Sequence, residues 1–221
     1  MTSGFTMPPD HSYLEGPPRQ VPGFSSLHRM VTLLLAERVP RQGRVLVLGA
    51  GGGLELRAFA EAQPGWRLDG VDPDAGMLAL AAEVSEPYSA RISLHEGEIG
   101  AAPPGPFDGA ASLLTFHFIA RSKRVETLRN VRKRLVPGAP LVLAHISFPQ
   151  AEPERSRWIS RHVAFGGAPE ERIESAEHAI RTRLSVLDPE EEEAQLRSAG
   201  FGGISLFYAG LSFRGWVACA E

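Results

Sequence analysis

The chain is short of cysteine, of long apolar runs and of excess positive charge, and each shortage excludes something. Cys219 is the single cysteine among 221 residues, so neither a disulfide framework nor a Cys-clustered zinc site can be built from this sequence. The longest apolar runs, such as 33–36 and 141–144, fall far short of the ~18 residues that a membrane-spanning helix needs. The opening MTSGFTMPPDHSY lacks a basic start followed by an apolar stretch, so it does not read as a secretory signal, and a cytoplasmic protein with a reduced thiol is expected. Lys and Arg number 23 against 26 Asp and Glu, a net charge of −3, which argues against a general nucleic-acid coat. His11, His28, His162 and His178 have no neighbours at ligand spacing, and no metal site is expected. What is present is ordinary: 43% hydrophobic and 22% charged residues exclude wholesale disorder. The length suits one α/β domain over 1–221 with a core of its own.

Residues 1–40 form an arm and a helix. Pro8, Pro9, Pro17, Pro18 and Pro22 crowd positions 1–23, which predicts an extended arm. Leu27, Met30, Val31, Leu34 and Leu35 share one helical face, predicting a helix capped by Ser25 or Ser26 and stopped by Pro40. The run 44–48 between Gly43 and Gly49 suits a strand buried on both faces. A helix over 54–62, a strand over 66–71, a helix over 74–84 and strands over 91–95 and 107–115 are expected next. A helix over 122–136 and a strand over 140–147 follow. This β-α-β alternation implies a Rossmann-like, doubly wound, mostly parallel sheet with right-handed crossovers. Strands over 204–209 and 213–220 flank Gly210-Leu-Ser212 and predict a closing antiparallel hairpin, for seven strands in all. Residues 149–187 break the alternation with helical stretches and no strand, which suggests a helical insertion forming a lid. Asp188-Pro189-Glu190-Glu191 then predicts a capped helix ending at Gly200.

The sharpest motif is Val45-Leu-Val-Leu-Gly49-Ala-Gly51-Gly-Gly53-Leu-Glu55, set between a predicted strand and a predicted helix. Glycines let the chain turn tightly and let a ligand approach the backbone, and the helix start presents unpaired N–H groups. Asp72, at the tip of the second strand, suits a ribose, whose two hydroxyls a carboxylate can accept. The glycine pattern is G-x-G-x-G, without the third glycine of a dinucleotide fingerprint and without the Lys-Ser/Thr of a phosphate loop. A glycine cluster alone marks any tight strand-to-helix turn. With strand, helix and Asp72 in register, it points to a ligand with a nucleoside part.

With these motifs in order, the chain resembles a class I S-adenosylmethionine-dependent methyltransferase over nearly its whole length. Residues 45–53 match the first motif, and Val71-Asp72-Pro73-Asp74-Ala-Gly-Met77-Leu78 the ribose motif. Glu96-Gly97-Glu98-Ile99 is similar to the segment whose acid meets the adenine amino group, and 107–118 to the fourth-strand motif. Leu135-Val-Pro137-Gly138 resembles the link into the fifth strand. Val21-Pro22-Gly23-Phe24 and Phe213-Arg214-Gly-Trp are similar to the branch of carboxy-S-adenosylmethionine synthase-like proteins. The resemblance implies S-adenosylmethionine as cofactor, contacted by Gly49, Ala50, Gly51, Gly53, Asp72, Pro73, Met77, Glu98, Ile99 and Leu114. It implies methyl transfer, with a small-molecule acceptor expected. The alternatives are an RNA methyltransferase or a carboxy-S-adenosylmethionine-type enzyme, and a non-catalytic cofactor-binding or scaffold protein.

One departure matters. The family usually carries Asp or Glu at the position of Val47, where the acid helps to anchor the methionine end. Three readings stay open: weaker cofactor affinity, replacement by another polar residue such as Glu55, or lost catalysis. Methyl transfer asks the protein mainly to align a nucleophile with a reactive carbon that the cofactor carries, so no catalytic triad is expected. Candidate acceptor-pocket residues are His117 after the fourth strand, Tyr13 and Phe24 in the N-terminal segment, and Arg214 in the last strand. For His117 a packing role is the plainer alternative; for Tyr13 and Phe24 the alternative is surface padding or a dimer contact; for Arg214 an acidic ligand and solvent are equally open. The basic residues of 121–134 read as a solvated helix face rather than a phosphate-binding stripe. Segments 10–28 and 149–187 are expected to roof the site together, the alternatives being surface padding or a homodimer contact.

Overall fold

The computed structural model describes residues 11–221; Pro8 and Pro9 of the expected arm lie outside the described residues. Its strands are β1 (Arg44–Leu48), β2 (Arg67–Asp72), β3 (Ile92–Glu96), β4 (Gly109–Leu113), β5 (Pro140–Ile146), β6 (Phe201–Gly210) and β7 (Phe213–Ala220). They form one sheet in the order β3-β2-β1-β4-β5-β7-β6. β1 to β5 pair in parallel, and β7 runs antiparallel to both β5 and β6. The final hairpin is therefore present, with β7 slotted inside the sheet and β6 at its edge. The helices are α1 (Gly16–Gln20), α2 (Phe24–Ala36), α3 (Leu54–Ala62), α4 (Ala75–Val84), α5 (Arg121–Arg132), α6 (Glu154–Phe165), α7 (Ile173–Arg183) and α8 (Pro189–Ser198).

β1 shows why its sequence is an unbroken apolar run. Alternate side chains point to opposite faces of a strand. Val45 and Val47 join a core with Leu27, Val31 and Leu35 of α2 and Leu56 and Phe59 of α3. Leu46 and Leu48 join another with Leu128 and Val131 of α5 and Leu196 of α8. Each such side chain, fully buried, contributes about 1.5–3 kcal/mol. The strand order reverses between β1 and β4, and ligands of open α/β sheets bind beyond the strand ends at such a point.

Three expectations are corrected. Residues 11–20 are not extended: His11–Glu15 is a 3-10 turn and 16–20 is α1. Pro17 and Pro18 stand at the first helical positions, where a missing N–H costs nothing. α2 is not capped by Ser25 or Ser26; Gly23, at φ 64, turns the chain in and the helix starts at Phe24. α5 ends at Arg132 rather than near 136, because the chain leaves it to pair with Phe107. The Phe107 N–H donates to the Arg134 carbonyl and its carbonyl accepts from the Val136 N–H. The same pairing delays β4 until Gly109. The 149–187 segment is helical as expected, and Asp188 caps α8 by accepting from the Glu191 N–H at 2.9 Å.

Candidate cofactor site

The loop between β1 and α3 is tied to β2 by two bonds: the Gly49 and Ala50 N–H groups donate to the Val71 carbonyl at 2.8 and 3.0 Å. Gly49 and Gly51 have φ of 75° and 47°, conformations that glycine adopts at no steric cost. A Cβ on Gly49 would stand 2.0 Å from Thr115 Oγ1, and one on Gly51 would stand 2.7 Å from the Tyr13 hydroxyl. Packing within the chain thus demands these glycines before any ligand is considered. Ala50 is fully buried.

Asp72 closes β2 and knits two loops. Its Oδ2 accepts from the Gly51 N–H at 2.9 Å and its Oδ1 from the Asp74 N–H at 3.0 Å. Each oxygen keeps acceptor capacity for a further donor. Burial raises the Asp72 carboxyl; the Asp74 and Gly51 N–H groups oppose the rise and the Asp74 charge adds to it. Asp74 caps α4, accepting from the Gly76 and Met77 N–H groups at 2.9 and 3.1 Å, which settles Met77 in the buried first turn. Pro73 between them is exposed.

Across the switch point, Leu114 follows β4 with φ 56°, a left-handed conformation that costs a non-glycine residue about 1–3 kcal/mol. Its N–H donates to the Ala144 carbonyl at 2.7 Å. Strain of this kind at a strand end often marks a ligand site. Thr115, next to it, packs on Gly49 and bonds through Oγ1 to the Leu113 carbonyl at 2.9 Å; nothing in the sequence spacing singled it out. After β3, Ile99 is buried while Glu98 is exposed, with an oxygen 3.6 Å from Lys123 Nζ.

Two side chains lie against the glycine loop itself. The Tyr13 ring covers Gly51 and Gly52, and a Cβ on Gly52 would stand 2.8 Å from ring carbons. Burial, followed by the charges of Glu55 and Asp72, raises the phenol, with the Gly52 N–H opposing. Glu55, in the first turn of α3, is 7% exposed. Burial first, with Asp72 adding and its own N–H opposing, pushes its carboxyl up to about 8. Val47, where the resemblance asks for an acid, is wholly buried among apolar side chains.

The other candidates fall elsewhere. Phe24 packs edge-on against His28, ring centroids 4.4 Å apart. His117 is buried at the sheet's β4–β5 side, where its Nδ1 faces the Ile146 N–H at 3.4 Å. Burial, then His145, Arg124 and His162, hold its imidazole well below the usual range. Beside it lies a network missed at the level of sequence. Arg124, fully buried, donates from Nη1 to Glu192 Oε1 at 2.5 Å, from Nη2 to the Ser185 carbonyl and from Nε to the Ile119 carbonyl at 3.2 Å. His145 Nε2 is 2.9 Å from the same Glu192 oxygen, without hydrogen-bond alignment. Burial alone would raise the Glu192 carboxyl, but His145 and Arg124 outweigh it and hold it below the ordinary value. The basic 121–134 stretch is therefore not simply a solvated face: Arg129, Arg132 and Arg134 also donate to carbonyls of Ser198, Gly200 and Pro103. Arg214 donates to the Leu211 and Phe213 carbonyls at 2.6 and 2.8 Å and lies over the Trp158 ring at 5.6 Å.

A methyltransferase-domain family matches residues 46–141, the span that runs from β1 through the Asp72 loop to β5. Over that span the chain is similar to a methyltransferase domain. It is 26% identical over 212 residues to a carboxy-S-adenosyl-L-methionine synthase of Pseudomonas paraeruginosa (strain DSM 24068 / PA7), covering 90% of this chain and 84% of that protein. Among solved structures it is similar to human N-acetylserotonin methyltransferase in complex with S-adenosylmethionine, with TM-score 0.60 and 15% identity over 97% of this chain and 60% of that one. It is also similar to the [4+2]-cyclase SpnF, with TM-score 0.65 and 16% identity over 89% and 82% of the two chains. At such identities the structural likeness is one of fold. The chain spans little more than half the length of several methyltransferase structures that it matches. Among the described residues no helix is long and apolar enough to cross a membrane.

Proposed function

We infer that the protein binds S-adenosylmethionine beside the glycine loop and transfers its methyl group to a small-molecule acceptor, working in the cytoplasm. The observation that carries this reading is Asp72: a half-buried carboxylate held by the Gly51 and Asp74 N–H groups, with acceptor capacity to spare for two ribose hydroxyls. The remaining donor set fits the same group. Met77, Ile99 and Leu114 offer apolar surface around the strand ends for the nucleoside, and Glu98 follows β3, where the adenine amino group is expected. When bound, the cofactor supplies an electrophilic methyl carbon on a sulfonium. The protein's own task is to hold, orient and exclude water.

The roof is assigned to segments 10–28 and 149–187. Val21, with Ile159, Val163 and Ile180 of α6 and α7, shares one core cluster. A Cβ on Gly166 would stand 3.6 Å from the Gln20 side chain, so the two segments meet. Tyr208 bonds to the Pro22 carbonyl at 2.6 Å, anchoring the arm to β6. Lids of this kind complete a site and keep water out.

A second reading is carboxy-S-adenosylmethionine synthesis, supported by the relative in Pseudomonas paraeruginosa matched over 90% of this chain. An RNA substrate is disfavoured, because Arg121 and Arg124 of α5 pair with Glu191 and Glu192 and its Arg129 and Arg132 donate to carbonyls within the chain. Mass spectrometry of ligand released from the purified protein, with calorimetry against S-adenosylhomocysteine, tests the proposal. Co-purified S-adenosylmethionine or its demethylated product and measurable binding are expected. A carboxylated cofactor moves the assignment to the second reading, and no binding leaves the scaffold reading.

A further inference from the structure

A buried carboxyl without a cation is an unusual thing to keep. Taking a charged carboxylate out of water costs several kcal/mol unless it is paired. Glu55 is 7% exposed, and among the described residues no Lys, Arg or His forms an ion pair with it. The groups that face it are Asp72 from the end of β2, Tyr13 from the N-terminal turn and its own backbone N–H at the start of α3. Burial and the Asp72 charge disfavour a negative charge there, and the N–H alone opposes them. An ammonium group brought to this spot would meet Glu55 and Asp72 together, with the neutral Tyr13 phenol beside them.

Val47 supplies the second half of the argument. Its side chain is wholly buried on the α2 and α3 face of β1, so no acid projects from that strand end. Glu55 lies eight positions on, across the glycine loop, and its carboxyl sits within electrostatic reach of Asp72. We propose that Glu55 is the anionic anchor for the α-ammonium group of the cofactor's methionine part, in place of the acid absent at Val47. This rests on the cofactor reading above.

The proposal has a chemical consequence. Free Glu55 titrates at about 8, so at pH 7 most molecules carry the carboxylic acid. An ammonium held against it favours the carboxylate. The acid proton then passes to solvent as the ligand binds, and no bond other than that O–H breaks. Between pH 6 and 8 the affinity for a ligand bearing the ammonium should rise toward tenfold per pH unit, and level off above about 8.

The test is calorimetry in buffers of different ionisation enthalpy, with two ligands. S-adenosylhomocysteine carries the amino acid, and 5′-methylthioadenosine keeps the nucleoside and sulfur but lacks it. For the unmodified protein at pH 7, S-adenosylhomocysteine should release close to one proton and 5′-methylthioadenosine none. Glu55→Gln should weaken the first ligand about tenfold or more, abolish its proton release and leave the second unchanged. Equal weakening of both ligands would show Glu55 to be structural. Unchanged affinity and release in the variant would remove it from the site. The unmodified protein is decisive even if the variant does not fold: binding of S-adenosylhomocysteine without proton release at pH 7 overturns the inference alone. Failure to bind either ligand overturns the cofactor reading and the inference with it.

Discussion

Glu55 and Glu192 are both buried glutamates in the first turn of a helix, 7% and 4% exposed, yet their surroundings are opposite. Glu55 on α3 faces another acid and a phenol, and its carboxyl is pushed up to about 8. Glu192 on α8 is gripped by Arg124 at 2.5 Å, with His145 at 2.9 Å, and is held below the ordinary value. The difference separates the two sides of the sheet. At β4–β5–β7 the charges are answered within the chain, so they serve architecture. Beyond the carboxyl ends of β1 and β2, Asp72 accepts from backbone N–H groups, and neither it nor Glu55 has an ion pair among the described residues, which leaves both open to a partner from outside the chain.

The largest effect expected is on the architectural side. Arg124→Met leaves Glu192 buried without its guanidinium, and removing one partner of a buried pair costs about 3–5 kcal/mol. Chemical denaturation should show that loss while S-adenosylhomocysteine affinity of the folded protein stays unchanged. A loss below about 1 kcal/mol, typical of exposed pairs, would remove the contrast.

Gly51→Val comes next. Its side chain would run into the Tyr13 hydroxyl, and φ 47° is strained for any β-branched residue. Affinity for S-adenosylhomocysteine should fall about 100-fold or more, close to 3 kcal/mol. A variant that melts cooperatively and binds normally would mean that this loop does not cradle the cofactor.

The two sides also differ in their response to pH. His28 and His162 are held neutral by burial, with values lowered to about 4. The unfolded chain binds protons there first, so stability drops as pH falls from 6.5 toward 4, by about 2–3 kcal/mol per histidine. Glu55 has the opposite sign. The native state holds its proton up to about 8, so stability is present at low pH and is lost as pH rises from the ordinary carboxylate value to that point. Thermal melting of the ligand-free protein should therefore peak near pH 6.5. Glu55→Gln should flatten the alkaline limb and steepen the acid limb between the ordinary carboxylate value and pH 6.5; an alkaline limb that persists in the variant has another origin.

The smallest effect expected is that of Asp72→Ala, about tenfold in S-adenosylhomocysteine affinity, or near 1.4 kcal/mol, with the fold intact. Full affinity in this variant would take the ribose away from Asp72. A large loss of stability instead would place Asp72 with Glu192 among the architectural acids.

What the sequence determined by itself was local. Apolar periodicity placed the strands and most helices, since burial on both faces of β1 leaves no choice but an unbroken apolar run. Proline, glycine and Asp188 marked ends, because their backbone and capping chemistry acts within a few residues. The glycine loop and Asp72 were legible for the same reason: 23 residues of β-α-β bring them together in any such fold. Pairing across long separations was decided only by the tertiary structure. Phe107 drew residues 134–136 out of α5, Arg124 met Glu192 from 68 residues away, and Tyr13 settled on a loop nearly 40 positions later. Charge pattern read along a chain cannot tell a solvated arginine from a buried one. Burial is a property of the assembled layers, and with it comes the dielectric that makes one glutamate a strut and leaves another waiting for a cation.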